Sequence, residues 1–168
     1  MPRGLKETSS IIAISGSVEE TAANTFTSAR IDLQLNPLDN EVFVVYGIDL
    51  DTQEPDLVPG AASSVRASLS TTQRTSPGGL ADSNVMAAAR IVTQEGVAGA
   101  VTNQFASDSA PSTQLDYIGI ISTNDFFLNI AGGNNAATKL LQARIYGVRA
   151  KADASVYAAL VQSELLSA

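Results

Sequence analysis

The stretch EVFVVYGIDLD, residues 41–51, decides the fold class of this chain. One face of it carries Val42, Val44, Tyr46, Ile48 and Leu50. The other face begins with Phe43 and Val45 and turns polar at Asp49 and Asp51. A period of two is typical of a β-strand, and apolar residues on both faces of its first half predict a central strand.

Similar patterns recur on both sides of this strand. Residues 29–35 alternate, with Ile31, Leu33 and Leu35 on the apolar face, and Pro and Asn residues follow at 36–40. Further strands are predicted at 9–15, 65–71, 85–94, 115–122, 126–131 and 139–151, of which 85–94 also fits a helix. Long loops are predicted at 52–63, 72–84 and 96–113. About eight strands with mixed connections predict a mainly β, antiparallel sandwich of the eight-stranded jelly-roll type, and a helix-swapped or simpler sandwich is the alternative.

The two ends of the chain have a different character from the middle. Residues 1–24 are predicted to be an N-terminal arm with a possible short strand, and residues 25–152 to be the sandwich domain. Asp153 can cap a helix that runs to about Leu166, so residues 153–168 are predicted to be a short C-terminal helix. This helix packs either on its own domain or on a neighbouring subunit.

The composition narrows the chemistry. The 168 residues include no Cys and no His, which excludes a Ser-His-Asp triad, a thiol nucleophile and the commonest transition-metal ligands. We therefore expect no enzymatic activity. Only 16% of residues are charged, the formal charge is −7, and no basic stripe is present, so nucleic-acid contact is expected to be weak or absent. Few charges suit a surface that neighbouring copies partly cover.

The distribution of apolar residues bears on secretion and on membrane insertion. The N-terminal region lacks the apolar run of a secretory signal, and no stretch approaches the length of about 20 apolar residues that a membrane helix needs. We therefore expect neither a signal peptide nor a transmembrane segment.

One acidic cluster is a candidate metal site. Asp49 and Asp51 project from one face of a strand end, and Glu54 and Asp56 follow on the next loop. Calcium prefers six to eight oxygen ligands, so these carboxylates are candidate calcium ligands, although the EF-hand pattern is absent. The alternative is a group of solvated carboxylates, and no other cofactor is predicted.

Two other groupings have structural explanations. Residues 132–135, GGNN, predict a chain reversal. Arg144, Arg149 and Lys151 lie on one predicted strand, where pairing with carboxylates within or between subunits is expected.

The order of elements resembles that of small single jelly-roll capsid proteins of icosahedral viruses. The segments that carry the resemblance are FTSARIDLQL at 26–35, EVFVVYGIDLD at 41–51, LDYIGIISTNDFFLNIAGGNN at 115–135 and KLLQARIYGVRAK at 139–151. The resemblance implies many identical copies in a closed shell, with termini exchanged between neighbours. Many such proteins package RNA with an arginine-rich arm, which this chain lacks, so a shell over an internal membrane or another protein layer fits better.

These observations lead to one functional hypothesis and two alternatives. The hypothesis is a virion structural protein, a capsid subunit that binds copies of itself and other virion proteins and assembles inside a host cell. The alternatives are a receptor- or glycan-binding sandwich on a fibre or surface, and a non-catalytic decoration protein. Apolar residues near the termini are predicted to lie in subunit interfaces: Ile11, Ile12, Ile14, Leu160, Val161, Leu165 and Leu166.

Overall fold

The computed structural model describes residues 1–96, 98–106 and 115–167. These residues form ten strands, one 3-10 turn at Pro37–Asp39 and one α-helix. The strands are β1 (Leu5–Glu7), β2 (Ile12–Glu19), β3 (Thr27–Asp32), β4 (Glu41–Thr52), β5 (Ala62–Ser70), β6 (Val85–Gly96), β7 (Gly99–Ala106), β8 (Gly119–Ile121), β9 (Asp125–Gly133) and β10 (Leu140–Ala152), and the helix is α1 (Ala154–Leu166).

The strands form two antiparallel sheets that face each other. In sheet A, β10 pairs with β4 on one side and with β1 and β2 on the other. The strand β8 pairs with the opposite side of β4. Sheet B has the order β3-β9-β5-β6-β7. Without β1 and β7, the strands follow the jelly-roll order: successive strands alternate between the sheets, except that β5 and β6 both lie in sheet B. The predicted mainly β, antiparallel sandwich and its short C-terminal helix are therefore confirmed.

The main core fills the space between the sheets. Sheet A contributes Phe43, Ile48 and Ile145, and sheet B contributes Leu69, Phe126 and Leu128, all of them almost completely buried. Each of these side chains comes from a strand with alternating apolar residues. Every second residue of such a strand points into the core, as the alternation in the sequence predicts.

Strand β4 changes face in its middle. Gly47 pairs with Tyr146 but Val45 pairs with Gly147, so Tyr46 is an extra residue, a β-bulge. The bulge corrects the prediction that Val42 and Val44 share a face with Ile48 and Leu50. Val42 and Val44 instead face away from the main core, while Ile48 and Leu50 pack into it.

Several strand boundaries also differ from the predictions. The N-terminal strand, predicted at 9–15, is β2 at Ile12–Glu19, and β1 precedes it, so the region predicted as an arm contains two strands of sheet A. Residues 85–96 form strand rather than helix. The loop predicted at 96–113 contains β7, and of the strand predicted at 115–122 only Gly119–Ile121 is regular. Residues 107–113 of that loop lie outside the described residues.

A second apolar cluster lies on the outer face of sheet A, under α1. Val42 and Val44 of β4 and Val148 of β10 are buried there by Val156 and Leu160 of the helix. Both faces of the first half of β4 are therefore covered, as expected for a central strand. No helix in the described part of the chain is long and apolar enough to span a membrane.

Candidate interaction surfaces

A polar network joins three loops at one end of the sandwich. Lys139 before β10 is only 2% exposed, and its Nζ lies 2.6 Å from Oδ1 of Asp56 in the β4–β5 loop. Glu20 after β2 accepts hydrogen bonds from the backbone N–H groups of Gly132 and Lys139 at 2.6 and 3.0 Å. Asn135 donates its backbone N–H to Asn24 Oδ1 at 2.7 Å. We call Glu20, Asn24, Asp56, Asn135 and Lys139 the loop network.

Asp56 is held in its ionised form by this network. The hydrogen bond from Lys139 comes first among the causes that lower the pKa of Asp56 below its ordinary value, and the backbone N–H groups of Ala137 and Ala136 add to it. A carboxylate with these partners has little free capacity for a cation. Its task in the structure is to neutralise a buried ammonium and to fix the loop before β10.

The other proposed calcium ligands lie apart from Asp56. Asp49 and Asp51 are exposed on the outer face of sheet A, opposite Arg144 and Gln142 of β10, and Glu54 is exposed beyond the strand. Within residues 1–96, 98–106 and 115–167, no three Asp or Glu side chains come together in a group that could hold a metal ion. The calcium hypothesis therefore gains no geometric support from the described part of the chain.

Asp49 and Asp51 do border a shallow polar depression. It measures about 530 Å³ and includes Ser15 of β2 and Arg144 of β10. Arg144 Nε donates to Ser15 Oγ at 3.2 Å, so its guanidinium lies over the surface of sheet A rather than in a deep cleft. The arrangement is a mixed-charge surface on which opposite charges lie close together.

The remaining basic residues of β10 pair with carboxylates, as predicted. Arg149 Nη1 lies 3.2 Å from Glu41 Oε2, and its Nη2 donates to the backbone oxygen of Leu33 at 2.8 Å. Lys151 Nζ lies 3.5 Å from Asp39 Oδ1. These contacts are within the subunit and leave little free positive charge on the strand.

Helix α1 is fixed to its own domain by a buried carboxylate. Glu164 is buried and accepts hydrogen bonds from the backbone N–H of Ser122 at 2.7 Å, from the Ser122 hydroxyl and from the Thr123 hydroxyl. The sequence places Glu164 beside the apolar residues of the helix but gives no indication of its acceptor role.

The predicted interface residues fall into two groups. Ile12 and Ile14 pack against the main core, Leu160 packs against the cluster under α1, and Val161 lines a depression of about 200 Å³ beside Leu35, Pro37 and Tyr157. Ile11, Leu165 and Leu166 are exposed. Only these last three present large apolar surface to a neighbour.

Strand β7 is the exposed edge of sheet B. Strand β7 has β6 on one side and no other strand of the described residues on its opposite side. Every residue from Gly99 to Phe105 is exposed, so side chains on both faces of the strand are accessible to solvent. The segment GAVTNQFA contains neither a charged residue nor a proline. It includes Val101 and Phe105, both more than half exposed.

The sequence matches no protein-family model and no curated protein.

Proposed function

We propose that this chain is a non-catalytic structural protein of a virion, a capsid subunit that assembles with copies of itself into a closed shell. The jelly-roll order of the strands supports the proposal, because capsid domains are among the proteins built on this fold. Lectin domains use the fold too, so the fold alone does not decide between a shell and a binding module.

The observation that carries the proposal is the edge strand β7, whose free edge pairs with no other strand in the part of the chain that the structure describes. An edge strand presents unpaired N–H and C=O groups, and monomeric proteins blunt such edges with lysine, proline or a covering loop. Strand β7 carries no charge and no proline, and both of its faces are exposed. Strand β7 pairs with β6 alone among the described strands, so its free edge could add a strand from a neighbouring subunit.

The exposed apolar residues at the termini supply a second contact. Ile11 lies beside the start of β2, and Leu165 and Leu166 lie at the end of α1, far along the chain from β7. A contact in which one of these patches binds the other patch on the next copy is heterologous, and such contacts generate rings when the rotation closes. The engaged side chains of Arg149 and Lys151 fit a subunit whose shell encloses another protein layer or a membrane rather than naked genome.

Assembly of purified protein tests the proposal directly. We expect multi-angle light scattering after size-exclusion chromatography to show oligomers, and negative-stain images to show closed particles. A wild-type protein that stays monomeric at high concentration, across salt and calcium concentrations, would overturn it. A monomer that coats a preformed shell would instead indicate a decoration protein.

A matched pair of variants tests the role of the edge strand. Val101→Lys places a charge on β7 and should abolish assembly while the monomer stays folded. Leu57→Lys is the control, because Leu57 is 59% exposed, close to the 58% of Val101, but lies in the β4–β5 loop. Equal assembly of the two variants would show that β7 is not the interface.

A further inference from the structure

The outer face of sheet B carries two arginines in direct opposition. Arg66 of β5 pairs in register with Arg90 of β6, and Arg90 pairs with Phe105 of β7. The side chains of residues directly opposite each other on antiparallel strands project to the same side of the sheet, with their Cβ atoms about 5 Å apart. The three side chains therefore form one row across the sheet.

Neither guanidinium is neutralised by the described residues. Arg30, Arg74 and Arg149 each form an ion pair, and Arg144 donates a hydrogen bond to Ser15, but Arg66 and Arg90 have no such contact in the described chain. Like charges that face each other across a sheet destabilise it. In a chain with 17 acidic residues, a pair of arginines left unneutralised is a candidate for an anionic ligand.

The loop between β5 and β6 lies beside this row, and together they form a depression. It measures about 290 Å³ and is bordered by Arg66, Arg90 and Phe105 on one side and by residues 78–80 of the β5–β6 loop on the other. Arg74 fixes that loop, because its Nη2 lies 3.0 Å from Asp82 Oδ2 and its Nη1 donates to Asn84 Oδ1. Asp82 also accepts the N–H of Gly79 at 2.9 Å. The loop is therefore in place before any ligand arrives.

We propose that this depression binds a small organic acid, with Arg66 and Arg90 on its carboxylate and with Phe105 and Leu80 on its apolar or ring portion. Arginine presents a planar fork that matches a carboxylate, and two forks offer several donors to one group. Phe105 and Leu80 are both more than half exposed, which leaves their apolar surface available to the rest of the ligand.

The overall charge decides against a long polyanion. A nucleic acid or a sulfated polymer extends over many ångströms and would meet the net charge of −7. A single carboxylate senses mainly the two arginines, because charges farther than a Debye length of about 8 Å are screened at physiological salt. The volume of about 290 Å³ is at the small end of ligand pockets, so a single ring fits it.

Ligand-observed NMR and calorimetry test the proposal on the purified full chain and on its Val101→Lys variant, which is expected to stay unassembled and so to leave Phe105 of β7 uncovered. The probes are phenylacetate and glucuronate, their uncharged counterparts phenylacetamide and glucose, and inorganic sulfate alone. We expect one of the two acids to bind and its uncharged counterpart not to bind. The acid that binds tells whether the natural ligand has an aromatic or a sugar ring.

Single substitutions assign the binding to this depression. Arg66→Gln and Arg90→Gln should each weaken binding of the acid by about tenfold or more, since each removes a charge-assisted hydrogen bond. Arg144→Gln on sheet A removes the same charge and should leave the affinity unchanged. Phe105→Ala should weaken the acid but not sulfate.

The proposal fails if neither acid binds, or if Arg144→Gln weakens binding as much as Arg66→Gln. It also fails if sulfate binds as tightly as the acids, because the depression would then hold an adventitious ion only.

Discussion

The ammonium of Lys139 and the carboxylate of Asp56, 2.6 Å apart, join the loop before β10 to the loop after β4. Lys139 is nearly inaccessible to water, whereas the Asp56 side chain is about one-third exposed. The pair is therefore unequal: the lysine depends on the aspartate for a counter-charge, and the aspartate remains open to protons from solvent.

Acidification should release this contact. The folded protein lowers the pKa of Asp56 below its ordinary value of 3.8, so the folded state favours the ionised carboxyl. The stabilisation is fully present above 3.8 and is lost as the pH falls from there through the lower pKa of the folded state. We expect Asp56→Asn to lower the free energy of unfolding at neutral pH, with the deficit shrinking below about pH 4.

Urea unfolding at a series of pH values measures this deficit. Asp49→Asn, at an exposed position on β4, removes the same charge and should cost much less at neutral pH. A deficit for Asp56→Asn that stays constant down to acid pH would show that the ion pair does not act as described.

Replacing Glu164 should loosen α1 from the sandwich. Glu164→Ala leaves the buried N–H of Ser122 and two hydroxyls without their acceptor, which should lower the free energy of unfolding by about 2–3 kcal/mol. Glu164→Gln keeps one oxygen acceptor and should cost less. Gln162→Ala, at an exposed position of the same helix, is the control. Hydrogen exchange of the α1 amides should accelerate in Glu164→Ala alone, and unchanged exchange would contradict the anchoring role.

A methyl group at Gly147 should be poorly tolerated. A Cβ there would lie 2.2 Å from the carbonyl oxygen of Val44 and 2.7 Å from the Phe43 ring, at the bulge that changes the face of β4. We expect Gly147→Ala to lower the free energy of unfolding by about 3 kcal/mol or more. Gly79→Ala has open space around its Cβ and should be nearly neutral. Thermal denaturation of both variants decides, and equal melting temperatures would refute the close packing at Gly147.

Substitutions in α1 can distinguish residues that stabilise the fold from residues proposed to contact another copy. Leu160→Ala removes a side chain packed under α1 and should lower the free energy of unfolding by about 2 kcal/mol. The double variant Leu165→Ser and Leu166→Ser changes exposed residues and should alter stability by less than about 0.5 kcal/mol while weakening assembly. Light scattering and urea unfolding on the same preparations check both effects. Normal assembly of the double variant would remove the end of α1 from the interface.

The alternation of apolar residues in the sequence predicts where the strands lie, but it does not predict where a β-bulge reverses the alternation. The positions of β4, β9 and β10 follow from alternation and turn residues. The helix begins after Asp153 as predicted, but the Asp153 side chain makes no capping hydrogen bond. The bulge at Tyr46 was not predictable from the pattern of β4 alone, because it is defined by the shift in register between β4 and β10. Strand β7 was missed because its small and polar residues resemble a loop, and only its pairing with β6 reveals it.

The candidate sites show the same division. Local sequence suggested the acidic residues of β4 and the apolar residues of α1, whereas every member of the loop network owes its role to a residue far along the chain. The opposition of Arg66 and Arg90 likewise depends on the register between β5 and β6, which a single sequence does not specify.

The pairing of β2 with β10 places the second strand to be synthesised beside the last one. During synthesis β2 has no partner on that side until residues 140–147 have been made, so sheet A closes only after β10 is present. Pairings of this kind slow folding, because the loop between the partners must be closed before their contacts form. For the shell proposed above, this order means that the contacts between copies follow the synthesis of β10, because the β2 edge of sheet A stays unpaired until then.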